Sequence, residues 1–307
     1  MPTLDQTFAR LESLQIQGAT AVARAIVLAL KDRGLKSELK SRGSWQAEQK
    51  SVADYLLSAR PTEPMAQNLC RLLLAIIADA KTVAEGQASL KTATGDLLEL
   101  ITEGSQEIVN FGQKIIADGE IIFTHCHSST VEKIIVGSQQ AGKKITVYNT
   151  ETRPLFQGRI TAANLLKAGV PVTMVADSAA GFLISPYSTE KITPTKVLLG
   201  ADVIFSNGSA VNKIGSFEVA LAAHTFGVPV YIVAHLLKTD DDGKIEMEKR
   251  PAKEIWPGAP KGLEIINFAF DLIPAKYITG FITEFGVTRP RKIKKLVKKK
   301  YPWILRT

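Results

Sequence analysis

Apolar residues in the first third of the chain recur at the period of a helix. Over residues 1–118 they fall at spacings of three, four and seven, which places them on one helical face. One such series is Leu98, Ile101, Ile108, Phe111 and Ile115. Asp118 and Gly119 follow it, and a glycine there is a typical helix end. The pattern predicts a helical N-terminal domain over residues 1–118.

Beyond Gly119 the pattern changes to short apolar runs that alternate with helical segments. Each run is short and apolar enough for a strand buried on both faces. The runs are Ile121 to Thr124, Ile145 to Asn149, Val172 to Ala176, Lys196 to Leu199 and Val230 to Val233. This alternation predicts a fold of the α/β class, in which residues 119–288 form a Rossmann-like open parallel sheet with helices on both faces.

Polar clusters follow four of these five runs. They read THCHSST, NTETRP, GADVIFSNGSAVNKIGS and AHLLKTD, and the remaining run is followed by Asp177 and Ser178. In an open parallel sheet, ligands bind outside the carboxyl ends of the strands. The sequence therefore predicts a ligand site at that edge of the sheet.

Composition agrees with an ordinary globular protein, with 307 residues of which 45% are hydrophobic and 22% charged. No apolar run approaches the roughly 20 residues of a membrane helix, and the start is acidic and polar rather than a leader. We therefore expect a cytoplasmic protein without membrane contact. A Pro- and Gly-rich stretch over residues 251–262 indicates a surface loop.

The net charge of +8 is concentrated near the C-terminus. The segment from Arg289 to Lys300 holds eight basic residues and no acidic one, which leaves the rest of the chain near neutral. Residues 289–307 are therefore either a solvated basic tail, with a weak RNA or ribosome contact, or an amphipathic helix that docks on the body. In the second case Ile293, Leu296 and Val297 would form its apolar face.

The two cysteines are too few for a disulfide framework and have no metal-ligand spacing. Cys70 lies in an apolar helical run and is expected in the core. Cys126 directly follows a strand, and Ser128 and Ser129 are positioned to cap the next helix. The helix dipole is expected to lower the pKa of the Cys126 thiol, which would make it a base or nucleophile; a structural cysteine is the alternative.

Asp202 ends another strand, where a carboxylate either acts as an acid or base or caps the turn. The loop after it is rich in amides and leads into a helix, an arrangement suited to phosphate or sugar hydroxyls; its polar residues are Asn207, Gly208, Asn212, Lys213, Gly215 and Ser216. Arg60, Arg153 and Lys238 supply the cations that a bisphosphate requires, or are surface charges.

Several functional classes lack support in the sequence. His125 and His127 flank Cys126 and would point to opposite sides of an extended chain, so we expect no metal site. His224 is expected to be structural. The chain has no G-x-S-x-G elbow, no G-x-x-x-x-G-K-[ST] loop and no G-x-G-x-x-G after a strand. Hydrolase, P-loop and dinucleotide functions are therefore not indicated.

Four motifs in order resemble one family: THCHSS, TETRPLFQGRITA, GAD, and NG followed by NKIGS. The family comprises ribose-1,5-bisphosphate isomerases, methylthioribose-1-phosphate isomerases and the alpha, beta and delta subunits of eukaryotic initiation factor 2B. The similarity runs from about Ile16 to Gly286. THCHS, the segment from Arg60 to Thr62 and the ending INFAFDLIPAKYITGFITEFG are most similar to the bisphosphate isomerases.

The resemblance implies site residues. It assigns Cys126 and Asp202 as the catalytic pair, without a cofactor or metal. It implies that the substrate is bound by Gln17, Gly18, Ala19, Arg60, Ser128, Arg153, Asn212, Lys213 and Lys238. The chain departs from the family pattern at Gln17, because the isomerases carry an arginine before the Gly-Ala pair. Loss of that guanidinium removes about 1.5–3 kcal/mol of phosphate binding.

The resemblance also implies an aldose–ketose isomerase that converts ribose 1,5-bisphosphate to ribulose 1,5-bisphosphate, in degradation of AMP or nucleosides that supplies RuBisCO. A homo-oligomer, either a dimer or a hexamer of stacked dimers, is expected on the same basis. The alternatives are a non-catalytic subunit like those of initiation factor 2B and a methylthioribose-1-phosphate isomerase. Retention of Cys126 and Asp202 favours an enzyme, and the Arg60 segment favours a bisphosphate over a thioether substrate.

Overall fold

The computed structural model describes residues 2–189, 193–241 and 247–305. Five helices form the N-terminal part, as the apolar periodicity predicted: α1 Leu4–Glu12, α2 Ala19–Lys36, α3 Arg42–Ser58, α4 Pro64–Ala78 and α5 Val83–Ile115. Thr82 caps α5 by accepting a hydrogen bond from the amide of Glu85. None of the described helices is long and apolar enough to cross a membrane.

The long helix α5 joins the helical part to the sheet. Its glycines permit close packing, because a Cβ at Gly104 would meet the ring of His235 and a Cβ at Gly112 would meet the side chain of Ile134. The apolar series predicted from the sequence lies on this helix, where Ile101 and Ile108 are buried. The helix therefore packs along most of its length against other parts of the molecule.

The described residues contain eleven strands in two sheets. They are β1 Ile121–Thr124, β2 Thr146–Thr150, β3 Val172–Val175, β4 Lys196–Gly200, β5 Val203–Phe205, β6 Ala210–Lys213, β7 Val230–Val233, β8 Thr239–Asp240, β9 Phe270–Ile273, β10 Gly280–Thr283 and β11 Gly286–Thr288. The larger sheet has the order β11-β10-β7-β4-β1-β2-β3, in which only β11 is antiparallel to its neighbour. The five predicted strands are confirmed to within a residue or two.

Helices cover both faces of the larger sheet, as predicted. The remaining helices are α6 Ser129–Gln140, α7 Gln157–Lys167, α8 Ala180–Ile184, α9 Ser216–Thr225 and α10 Ile293–Lys300. On β4, Val197 and Leu199 pack in a cluster with α9 and the N-terminal helices, whereas Leu198 packs in a second cluster with α5 and α6. This alternation is the period of two along a strand.

The smaller sheet has the order β8-β5-β6-β9 and was not predicted. The polar sequence after β4, expected to be a single amide-rich loop, is instead the antiparallel hairpin of β5 and β6. Asn207 and Gly208 form its turn, where Gly208 has a φ of 84° and packs against Pro290. The hairpin returns the chain to the edge of the sheet, so Asn212 and Lys213 lie near Asp202 while the Asn207 turn points away.

The basic C-terminal segment docks on the body as an amphipathic helix. Ile293 and Val297 of α10 are fully buried, and Tyr301 and Ile304 beyond the helix join the same core cluster. The lysines of α10 are exposed. The apolar face predicted for this segment is therefore present, and the basic residues lie on the opposite side of the helix.

Candidate active site

A cleft of about 360 Å³ opens where the carboxyl edge of the larger sheet meets α2 and the smaller sheet. The predicted residues that line it are Gln17, Gly18, Ala19, Arg60, Cys126, Ser128, Asp202, Asn212, Lys213 and Lys238. Residues 17–19 and Arg60 come from the helical part, and Asn212 and Lys213 lie on β6. The remaining four residues follow β1, β4 and β7. The structure thus brings together ten of the eleven residues predicted for the site.

Cys126 has a strained backbone that its neighbours hold in place. Its φ is 70°, in the left-handed region that residues other than glycine rarely adopt. The Cys126 amide donates to Thr152 Oγ1 at 2.9 Å, and its carbonyl accepts from Thr161 Oγ1 at 3.0 Å. Thr152 itself has a φ of 64°. Local strain of this kind is concentrated at functional sites, because surrounding structure must maintain it.

The prediction of an acidic thiol at Cys126 is wrong for the free protein. Ser128 does cap α6, which begins at Ser129, so the predicted helix N-terminus is present. Burial nevertheless raises the pKa of the Cys126 thiol to about 12, and Lys213 lowers this pKa only in part. Desolvation therefore outweighs the nearby positive charge, and Cys126 is a neutral thiol before a ligand binds.

The two histidines beside Cys126 have separate structural roles. His125 is buried, with Nδ1 2.6 Å from Thr150 Oγ1 and Nε2 2.8 Å from the carbonyl oxygen of Ile214. Burial lowers the pKa of His125, so Nε2–H of the neutral ring donates to Ile214 and Nδ1 accepts from Thr150. His127 lies in the cleft, 3.1 Å from Thr161 Oγ1. Among the described residues, no group of three or more His, Cys, Asp and Glu could hold a metal ion.

Asp202 and Lys238 face each other across the end of the sheet. The Asp202 amide donates to the carbonyl oxygen of Val211 at 2.9 Å, which fixes the start of the β5–β6 hairpin. Lys238 Nζ donates to the carbonyl oxygen of Ala201 at 2.6 Å. Burial lowers the pKa of Lys238, while Asp202 and Glu63 raise it. A carboxylate and a partly desolvated ammonium thus share the cleft, a pairing suited to proton transfer beside an anion.

Two helices direct their N-termini into the cleft. Helix α2 begins after Gly18, whose φ is 83°, and no side chain caps it. Its first-turn amides at Ala19, Thr20 and Ala21 therefore remain as donors that line the cleft. Helix α6 begins on another wall, where Ser128 lines the cleft. Amides at helix N-termini attract phosphate groups, and here two such ends face one space.

The side chain of Gln17 is turned back on its own chain. Its Nε2 donates to the carbonyl oxygen of Leu14 at 2.7 Å. Lys213 Nζ lies 4.7 Å from the centre of the Phe270 ring and has no ion-pair partner among the described residues. Lys213 is therefore, like Lys238, a cation of the cleft that forms no direct ion pair among the described residues.

Arg153 is the predicted site residue that the structure does not bring to the cleft. Its Nη2 donates to the carbonyl oxygen of Ile255 at 2.8 Å, and its guanidinium lies over the Phe156 ring at 5.0 Å. It lines a second cavity of about 540 Å³ with Asp177 and Asp271. The backbone turn after β2 directs this side chain away from Cys126, which the linear order of the motif does not reveal.

Sequence reasoning missed several residues of the cleft. Gln157, the first residue of α7, lines it, and its buried Oε1 has no hydrogen-bond partner among the described residues. Arg250 lines it as well and is paired with Glu254 at 2.6 Å and Glu248 at 3.3 Å. Gln157 was inside a recognised motif and its position at a helix start was a usable signal. For Arg250, in a region without a pattern, we find no such signal.

A buried carboxylate was also missed beside the cleft. Glu63 is the residue before α4, and Arg60 Nη2 donates to Glu63 Oε1 at 2.7 Å. Burial, followed by the charge of Asp202, raises the pKa of Glu63 to about 7. Glu63 thus adds a group that titrates near neutral pH to the site. In the sequence, Glu63 is a single acidic residue after the segment from Arg60 to Thr62, and no local pattern marks it as buried.

The fold and this cleft define a class: α/β proteins with a helical N-terminal part and a ligand-sized cleft at the carboxyl edge of a parallel sheet. The sequence model of the initiation factor 2 subunit family matches residues 15–290. The chain belongs to that family, which confirms the resemblance seen in its motifs.

Individual relatives agree with this assignment. A ribose 1,5-bisphosphate isomerase from Methanocaldococcus jannaschii is 31% identical over 310 residues, which are 99% of this chain and 97% of that protein. A methylthioribose-1-phosphate isomerase from Heliobacterium modesticaldum is 32% identical over 300 residues, 91% of this chain and 86% of that protein. The translation initiation factor eIF-2B from Pyrococcus horikoshii OT3 matches with a TM-score of 0.81 at 25% identity, over 95% of this chain and 99% of that one. The names of the two enzymes support an isomerase activity here and differ in substrate.

Proposed function

We propose that this protein is an aldose–ketose isomerase that converts ribose 1,5-bisphosphate to ribulose 1,5-bisphosphate. The observation that carries the proposal is that Cys126 and Asp202 line one cleft together with two helix N-termini and with Lys213 and Lys238. Cys126 and Asp202 supply groups for proton transfer. The helix N-termini and the two lysines supply hydrogen-bond donors and positive charge for two phosphates. The similarity to ribose 1,5-bisphosphate isomerases supports the same choice.

One route through the reaction requires four proton transfers, which two side chains can share. This route starts from the Cys126 thiolate and a protonated Asp202 carboxyl group. The C2 proton moves to the Cys126 sulfur as the bond between C1 and the ring oxygen breaks, and the ring oxygen takes the proton of Asp202. An enol forms between C1 and C2. The proton on sulfur then moves to C1 while the Asp202 carboxylate takes the proton of the C2 hydroxyl, which leaves a ketone at C2. Both side chains return to their starting states, so no cofactor is consumed.

The protonated state of Cys126 bears on this route. A thiol whose pKa lies at about 12 in the free protein must lose its proton when the substrate binds before it can act as a base. A second route avoids this step, because the ring opens with help from Asp202 and the hydrogen on C2 moves to C1 as a hydride. Substrate deuterated at C2 tests the first route: loss of deuterium to water during turnover indicates proton transfer through the Cys126 thiol, because a transferred hydride does not exchange with water.

Phosphorus NMR of the protein incubated with ribose 1,5-bisphosphate tests the proposed function. We expect the signals of ribulose 1,5-bisphosphate to appear, and the Cys126→Ser and Asp202→Asn variants to lose this turnover while they still bind the substrate. 5-Methylthioribose 1-phosphate is the comparison substrate. Turnover of the thioether alone would replace the proposed substrate, and binding of both compounds without turnover would favour a regulatory subunit.

A further inference from the structure

Arg60 and Glu63 form an ion pair that is incompletely satisfied. Their side chains are 10% and 1% exposed. Glu63 precedes α4 but makes no capping bond to the helix, so its carboxylate is free to face Arg60. Arg60 Nε and Glu63 Oε2 are both buried without a hydrogen-bond partner among the described residues. Buried polar atoms without partners are costly, so this pair gains from an additional hydrogen-bonding group or from a proton on the carboxylate.

Two carboxylates and two cations face Glu63. Asp202 follows β4, Lys238 follows β7, Glu248 reaches across from the smaller sheet, and Arg60 lies on the same loop. Thr62 Oγ1 donates to Glu248 at 3.5 Å, which holds that carboxylate nearby. With Glu63 ionised, this group of five has three carboxylates against two cations, and Arg250 pairs with Glu248 from outside the group at 3.3 Å. One proton on Glu63 balances them.

A phosphate group that enters the cleft encounters both the incompletely satisfied Arg60–Glu63 pair and the carboxylates around it. Arg60 lines the cleft and retains a donor without a partner, so it is a contact for an anion. The ionised Glu63 carboxylate competes for the same guanidinium and repels the anion. We propose that Glu63 takes up a proton when an anionic group binds at Arg60, which makes this pair a proton-coupled anion site and Glu63 a residue that sets substrate affinity. The inference rests on the proposed function only in so far as a phosphate is the natural anion.

The titration range of Glu63 suits this role. Burial and Asp202 place its pKa at about 7 in the free protein, so both of its forms are populated near neutral pH. A bound anion raises this pKa further, because negative charge nearby disfavours the carboxylate. By linkage, anion affinity is then highest below this pKa and falls as the pH rises through it, by up to about tenfold per pH unit for one proton.

Calorimetric titration of the intact protein with sulfate tests the inference, because sulfate keeps its charge where phosphate titrates. We expect proton uptake on binding, measured in buffers of different ionisation enthalpy. We also expect the dissociation constant to rise as the pH is raised through the Glu63 pKa of about 7. Glu63→Gln should bind sulfate tightly with a flat pH profile and no proton uptake. Glu248→Gln is the matched control, and its sulfate affinity should keep the pH dependence of the wild type.

The outcomes separate cleanly. Any one of three results overturns the inference: no sulfate binding, no proton uptake by the wild type, or an unchanged pH dependence of the sulfate dissociation constant in Glu63→Gln. If that variant does not fold, carbon-13 NMR of the wild-type glutamate carboxyls decides instead: sulfate must move one titration near pH 7 upward. Neither measurement requires turnover, so a protein inactive on ribose 1,5-bisphosphate can still show the coupling, and an active one can lack it.

Discussion

The cleft and the outer face of α10 are the two places where basic side chains gather, and they differ in almost every other respect. In the cleft, Arg60 and Arg250 are paired with carboxylates and Lys238 faces Asp202. The outer face of α10, formed by Lys294, Lys295, Lys298, Lys299 and Lys300, is exposed, and none of the described ion pairs includes it.

The difference shows that the number of charges in a region does not indicate whether pKa values are shifted there. The exposed lysines account for most of the excess in net charge, yet water screens each of them. The cleft contributes little to the net charge, but burial there shifts the pKa values of Cys126, Glu63 and Lys238. A count of charges along the chain therefore points to α10, while the groups with unusual chemistry lie in the near-neutral body.

The largest expected effect is on thiol reactivity within the cleft. Because burial raises the pKa of Cys126 to about 12, its alkylation by iodoacetamide near pH 7.5 should be on the order of a thousandfold slower than that of a free thiol with a pKa of about 8.5. The rate should still be rising with pH at pH 9. Mass spectrometry of the labelled peptide measures it, with glutathione as the reference thiol. A rate that reaches a plateau near pH 7 would contradict burial as the dominant influence.

The next effect separates the two faces of α10. Ile293 is fully buried, so Ile293→Ala should lower the free energy of unfolding by about 2–5 kcal/mol through lost contacts and a cavity. Lys294→Ala, one residue further along and exposed, should change it by less than about 0.5 kcal/mol. Denaturant unfolding of both variants makes the comparison. Equal effects would mean that α10 does not dock in solution.

A smaller effect is expected when the same substitution, lysine to methionine, is made in the cleft and on α10. Lys213 lacks an ion-pair partner in the cleft, so Lys213→Met should weaken the binding of a sugar phosphate by about 1.5–3 kcal/mol, the value of a charge-assisted hydrogen bond. Lys298→Met on α10 should leave binding unchanged. Titration with ribose 1,5-bisphosphate measures both. If the Lys213 variant binds like the wild type, the helix N-termini carry the phosphate contacts without it.

The parts of the fold that were predictable follow from burial. Strands β1, β2, β3, β4 and β7 are apolar runs because helices cover both faces of their sheet. The β5–β6 hairpin was missed because its polar letters were taken for a ligand loop, although Asn207-Gly208 is a common hairpin turn. Strands β9 and β10 were not predicted, although both lie within the segment INFAFDLIPAKYITGFITEFG, and neither was β11.

The candidate site was predictable where a strand end determines position. Cys126, Asp202 and Lys238 all follow strands of one sheet, so their meeting follows from topology. Arg153 also follows a strand, but a turn with positive φ at Thr152 redirects it. The pairing of Arg250 with Glu254 and the burial of Glu63 depend on how loops fold over the cleft, which no local pattern encodes.

The shared core has a consequence for the order of folding. Leu11 of α1 and Ile304, after α10, belong to one connected apolar cluster, which is held together by contacts between distant parts of the described chain. Such contacts between distant parts of the sequence form late and slowly. A nascent polypeptide would therefore have an unfinished core until α10 has been synthesised, and chaperones would meet its uncovered helices during that interval.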